Sequence, residues 1–261
     1  MIRKALLFLL LLHGTAHAQE GLFGPSEGRG ARHGFILGGY AGIDQPGADM
    51  ARRFNTSFRL GPALMYKTKT NWLFGAKFDF IVGRNVYEDS LMINIRDRYE
   101  TYSRNLFEFI NMDGQRIGVP VYERGYATGL SVGHIFALKK AYPDNGIMVL
   151  TTAGFMQHRI NIFDKDKSVT SLRGEYIKGY DRLTNGAFVE QYVGYAFFSR
   201  NKLINFNIGF DFLAGFTQGR RDYLFDVMRP DHAKRLDILY GLRGGWYIPM
   251  FKRKSEEMMF E

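Results

Sequence analysis

"WLFGAKFDFIVG", residues 72–83, is an aromatic, strand-like run that carries Lys77 and Asp79 two positions apart. Two ionised side chains on one face of an ordinary buried strand would be costly to desolvate, so that face must stay polar. Read with a period of two, Trp72, Phe74, Ala76, Phe78, Phe80 and Val82 share one side, and Gly75, Lys77 and Asp79 the other. The same separation recurs in "LINFNIGFDFLAGF", where Ile204, Phe206, Ile208, Phe210 and Phe212 oppose Asn205, Asn207, Gly209 and Asp211. Near the C-terminus, Ile238, Tyr240, Leu242, Trp246, Ile248 and Met250 oppose Asp237, Gly241, Arg243 and Gly245.

Outward from these runs, strand character appears in eight stretches: 33–44, 55–67, 72–83, 125–138, 146–159, 186–198, 203–216 and 236–250. Each is long enough to cross a bilayer at a tilt, which takes about 9 to 11 residues. Pro62 cannot donate to a ladder and predicts a bulge or local break in the second stretch. Connections at 67–71, 139–146 and 199–202 are short; those near 45–54, 84–124, 160–185 and 217–235 are long. Short turns on one side and long loops on the other are the layout of outer-membrane barrels.

A soluble barrel could show the same alternation with its apolar side inward. An eight-stranded barrel is only just wide enough for filling side chains, so bulky residues from every strand would not fit inside. The bulky face is therefore expected outside, against lipid, and the small or charged face inside. Trp72 and Trp246 are then expected at the short-turn rim, where amphipathic rings settle at headgroup depth.

The rest of the chain agrees with export. Residues 1–18 read as a signal peptide: Arg3 and Lys4, an apolar stretch from Ala5 to Leu12, and the small-x-small site Ala16, His17, Ala18. Residues 19–32 read as a flexible leader, 33–251 as the barrel, and 252–261 as a tail. No other segment has the run of about 18 to 20 apolar residues that a membrane helix requires. The absence of cysteine excludes a lipid-anchored mature N-terminus and a disulfide scaffold. The formal charge of +9 becomes +7 without Arg3 and Lys4, 9 − 2. An exported basic chain meets phosphate mainly on lipids, so no nucleic-acid partner is expected.

On this layout the chain resembles the small eight-stranded outer-membrane proteins of Gram-negative bacteria, the OmpA and OmpX type, over about residues 33–250. The last strand, "LDILYGLRGGWYIPMF", is similar to the C-terminal strand that barrel-insertion machinery reads, although "KRKSEEMMFE" follows it. "HGFILGGYAG" (33–42) has a fainter likeness to the opening strand of PorT-like barrels that accompany secretion machinery. The resemblance implies an all-β, eight-stranded antiparallel transmembrane barrel that serves as a structural or protein-interaction component, with a narrow channel as the alternative.

The expected lumen charges are Arg59, Lys77, Asp79, Glu190, Asp211, Asp237 and Arg243, with Glu190 and Arg243 as the candidate partners of Lys77 and Asp79. Such a near-balanced set plugs a barrel of this size more readily than it lines a path through it. Arg220, Arg221, Arg229, Lys234 and Arg235 in the last long loop are candidates for pairing with lipopolysaccharide phosphates. The 84–124 connection carries two strand-like runs around Asp113 and Gly114, a hairpin signal. Glu108, Arg116 and Pro120 favour a hairpin that projects and offers a partner protein its edge, over two further spanning strands. No catalytic group is expected. Asp231 beside His232 reads as a solvated loop pair, and Asp164 with Asp166 lacks the glycine and glutamate of a calcium loop. No cofactor or metal is implied.

Overall fold

The computed structural model describes residues 31–88, 90–96, 105–199 and 204–251. The expected signal peptide, most of the leader (residues 19–30) and the tail lie outside these. The wall is built from β1 (Gly34–Ala48), β2 (Ser57–Lys67), β3 (Trp72–Gly83), β5 (Arg116–Ala137), β6 (Gly146–Ile162), β7 (Thr184–Phe198), β8 (Asn205–Gly219) and β11 (Lys234–Phe251). Every neighbouring pair is antiparallel. The order runs β3-β2-β1-β11-β8-β7-β6-β5, and a β3–β5 ladder closes the ring. β1 pairs with β11 from Gly34↔Phe251 to Ala48↔Asp237, so the two ends of the fold are seamed together.

Alternation decides which side each residue faces. Leu130 is 75% exposed and Leu242 65%, whereas Asp79 and Asp211 are 0% exposed. With apolar groups outside and carboxylates inside, the fold is stable only where the outside is not water, and a closed barrel leaves no strand edge for lipid to meet. The chain is thus a transmembrane β-barrel.

The described residues of the 84–124 connection add no spanning strand. β4 (Leu106–Ile110) pairs only with the first residues of β5, from Leu106↔Pro120 to Ile110↔Arg116, so the hairpin rises above the wall as an extension of β5. A second, smaller hairpin, β9 (Arg221–Leu224) with β10 (Arg229–Asp231), tops β8 and β11.

Pro62 breaks the β2–β3 ladder without a bulge: Leu60↔Phe80 and Ala63↔Lys77 keep one register across the gap. A Cβ on Gly61 would fall on the carbonyl oxygen of Phe78. Glycine is therefore required beside the proline that forgoes the bond.

The expectation that bulk has room only outside is corrected by the lumen's ends. Towards the long-loop end, Ile81, Phe188, Leu213 and Leu239 point inward and merge with loop residues Met50, Phe54 and Leu91 in one apolar cluster. Towards the short-turn end, Ile36, Met65, Leu73, Tyr192, Tyr247 and Phe251 form another. Loops that fold in over the mouth need an apolar core of their own, and the inward residues nearest each mouth supply it.

Candidate functional site

Between the two apolar clusters lies a charged layer. Arg59 on β2 reaches both oxygens of Asp44 on β1, at 2.7 and 2.8 Å. It also donates to Asp211 on β8 at 2.6 Å and to Glu190 on β7 at 3.1 Å. Arg243 on β11 donates to the other oxygen of Glu190 at 2.6 Å and lies 3.3 Å from Asp211. Lys77 bonds Glu190 and sits 2.9 Å from Asp79, which accepts the hydroxyl of Tyr40. Aromatic faces complete the enclosure: the Arg243 guanidinium lies 4.2 Å from the Tyr192 ring centre and 5.0 Å from that of Tyr40.

Three cations meet four carboxylates, all buried. In so dry a place each charge is tolerable only because its partners are fixed in direction, as the two-pronged Arg59–Asp44 contact illustrates. Lys77 and Arg243 meet at Glu190, while Asp79 pairs with Lys77 and Tyr40, and its nearest arginine is Arg59, at 4.0 Å. Asp237 lies outside this layer. It accepts from Thr217 at 2.5 Å and pairs with His158 Nε2 at 2.8 Å, nearer the long-loop end, where Phe54 packs edge-on to the imidazole.

Asp44 was not among the expected charges, although parity from Ile36 through Tyr40 places it inward. The floor at the short-turn end was also unforeseen. Asp144, in the turn between β5 and β6, accepts from the Arg32 amide at 2.9 Å, Arg32 Nε at 2.6 Å and Lys67 Nζ at 2.7 Å. Arg32 spans on to the Phe198 and Ser199 carbonyls at 3.1 and 3.0 Å. No periodicity marks a turn residue such as Asp144, so only the folded chain reveals it. Asp144→Ala leaves Lys67 with only a carbonyl. Because Arg32 stays partly solvated, the expected loss is about 1–3 kcal/mol, read as a lower urea midpoint in lipid vesicles.

At the other mouth, four long loops form a cap. Arg182 forks onto both oxygens of Asp226 at 2.8 and 2.9 Å, and Asp226 also accepts the Met92 amide at 2.9 Å. Arg53 donates to Thr184 at 3.2 Å and lies 3.4 Å from Glu88. Burial lowers the pKa of Arg53, with the nearby Arg235 acting in the same direction and the Glu88 and Asp231 carboxylates opposing. Arg221 holds Asp181 at 2.7 and 2.5 Å, and that hydrogen bonding raises the guanidinium pKa.

The basic group of the last long loop is therefore divided. Arg221 is committed to Asp181, and Arg235 to Asp231 at 2.5 Å. Arg220 bonds the Asn185 side chain at 2.6 Å yet stays exposed, as do Arg229 and Lys234. Asp231 serves Arg235, and His232 offers its carbonyl to Gln218 at 3.0 Å. Asp164 accepts the Val169 amide at 2.9 Å, a turn contact. Trp72 and Trp246 both face outward at the short-turn end, 48% and 62% exposed.

No protein-family model matches the chain, and no curated protein sequence does. Solved structures similar to it include Neisserial surface protein A, with 8% identity and a TM-score of 0.43, covering 82% of this chain and 97% of that one. The attachment invasion locus protein Ail of Yersinia pestis follows at 13% identity and 0.36, covering 83% and 98%. The outer membrane protein OprG from Pseudomonas aeruginosa gives 10% and 0.35, covering 84% and 97%. The fold assignment rests on the strand registers themselves.

Proposed function

We propose that this chain is an integral outer-membrane barrel with a closed lumen that acts as a structural or protein-interaction component. The observation that carries the reading is the continuity of the filling: an apolar cap, a charged middle and a bonded floor. The cavity beside Lys77, Arg243, Ser131 and Thr152 measures about 20 Å³, room for about one water molecule. With the lumen filled in this way among the described residues, the outer surfaces are left to do the work. The β4–β5 hairpin is the foremost of these, because β4 ends the sheet order and its second edge has no partner strand among the described residues. Service as an accessory subunit of a secretion or membrane-assembly complex fits this reading, and so does recognition by barrel-insertion machinery through β11.

Planar-bilayer recording tests the closed lumen. The expected result is no steady conductance. Steady openings that Lys77→Met or Asp79→Asn abolish would replace this reading with a narrow channel for small solutes. The interaction role is tested by purification in mild detergent: a defined protein should co-purify with the full chain and be lost when residues 106–120 are replaced by a short turn.

A further inference from the structure

Three arginines stand on the lipid-facing side of the wall where its apolar band stops at the long-loop end. Arg84 follows β3, Arg124 lies in β5 and Arg159 in β6, and all three are exposed. Arg124 and Arg159 are direct cross-strand partners. Val82 faces Arg124 from the other side, and Arg84, two residues further on and just past the end of β3, falls diagonally beyond Arg124. Like charges opposite one another on one face of a sheet destabilise it, so the pairing needs a counter-charge.

Among the described residues these arginines meet a single carboxylate, that of Asp181, and Asp181 is already held by Arg221. Arg124 donates to its neighbour's carbonyl, that of Glu123, at 2.7 Å and lies 5.1 Å from the Tyr122 ring centre. Arg159 comes no closer than 3.9 Å to Asp181, both of whose oxygens are taken by Arg221. Arg84 has no ion-pair partner among the described residues.

Depth identifies the missing anion. From Arg124 to His134, at about 3.3 Å per residue and a tilt of about 40°, β5 spans about 25 Å, the height of the apolar band of such barrels. His134 and Trp72 meet at 5.2 Å at one border, and Tyr126 and Phe155, 6.4 Å apart, lie just inside the arginines at the other. We propose that Arg84, Arg124 and Arg159 bind the phosphate of a lipid headgroup in the leaflet at the long-loop end. Guanidinium forks match phosphate oxygens, and Tyr126 and Phe155 give the acyl chains a surface directly beneath. These are different residues from the 220–235 group. The inference rests on the membrane-spanning reading.

The full chain, folded in an uncharged alkyl-glycoside detergent, is titrated separately with phosphatidic acid, with diacylglycerol and with inorganic phosphate. Saturable binding is expected for phosphatidic acid alone. Arg124→Gln with Arg159→Gln should weaken it by about tenfold or more, whereas Arg229→Gln, above the rim, should not. Without lipid, the double variant should unfold at a higher temperature than the parent, because the repulsion is gone. Unchanged lipid affinity, or equal binding of free phosphate, overturns the proposal, and a lower unfolding temperature removes its premise. Failure of the membrane-spanning reading would be separately visible, as a chain that does not enter lipid vesicles at all.

Discussion

Arg59→Met lowers the unfolding free energy of the barrel in lipid vesicles by about 3–5 kcal/mol, the usual cost of breaking a buried ion pair on one side. The guanidinium donates to Asp44, Asp211 and Glu190. Its loss leaves Lys77 and Arg243 facing four carboxylates where there had been three cations. Methionine fills much of the volume but donates nothing, so the penalty is electrostatic and the packing change is minor. Asp79→Asn alters the balance in the opposite direction, to three cations and three anions, while leaving Tyr40 an acceptor. Its expected cost is under about 1.5 kcal/mol, within the range of a single hydrogen bond. Urea titrations of both variants in the same vesicles check the pair. Equal costs would mean that the layer is held by packing alone.

Arg182→Leu should open the cap without unfolding the wall. Asp226 would be left buried with the Met92 amide as its remaining partner, again at a cost of about 3–5 kcal/mol, but one paid by the loops. The strand ladders lie on the other side of that contact, so the vesicle-embedded barrel should keep its urea midpoint while added protease cuts within 163–183 at least about tenfold faster, since cleavage follows the local opening equilibrium. Uniform resistance to protease would mean that the apolar cluster around Phe54, Leu91 and Leu172 closes the mouth unaided.

The wall was legible because lipid outside and a narrow lumen inside impose a strict period of two, and β3, β8 and β11 obey it from end to end. That parity also set Lys77, Asp79, Asp211 and Arg243 facing inward. What it does not encode is height. Asp237 has the same parity as Arg243 and yet belongs with His158, because which charges meet depends on the stagger between strands. Asp144, Arg32 and the loop arginines of the cap lie outside any periodic stretch, and their partners are far along the chain, 167 positions away for Arg32 with Ser199. Local pattern has no term for contacts of that kind.

The seam between β1 and β11 has a kinetic consequence. Every other wall ladder joins strands that follow one another along the wall, but this one joins residue 34 to residue 251. Its loop-closure entropy is the largest in the fold, and it is offset only when the last strand arrives. Until then β1 and the growing sheet both present bare edges, so a half-made wall has no lipid-compatible form. The ion layer spans that seam through Arg59 and Asp44 on one side and Arg243 on the other, so the charges cannot find their full set of partners before closure. Folding into the bilayer is accordingly expected to be all-or-none, with the desolvation of the charged layer falling on the final step.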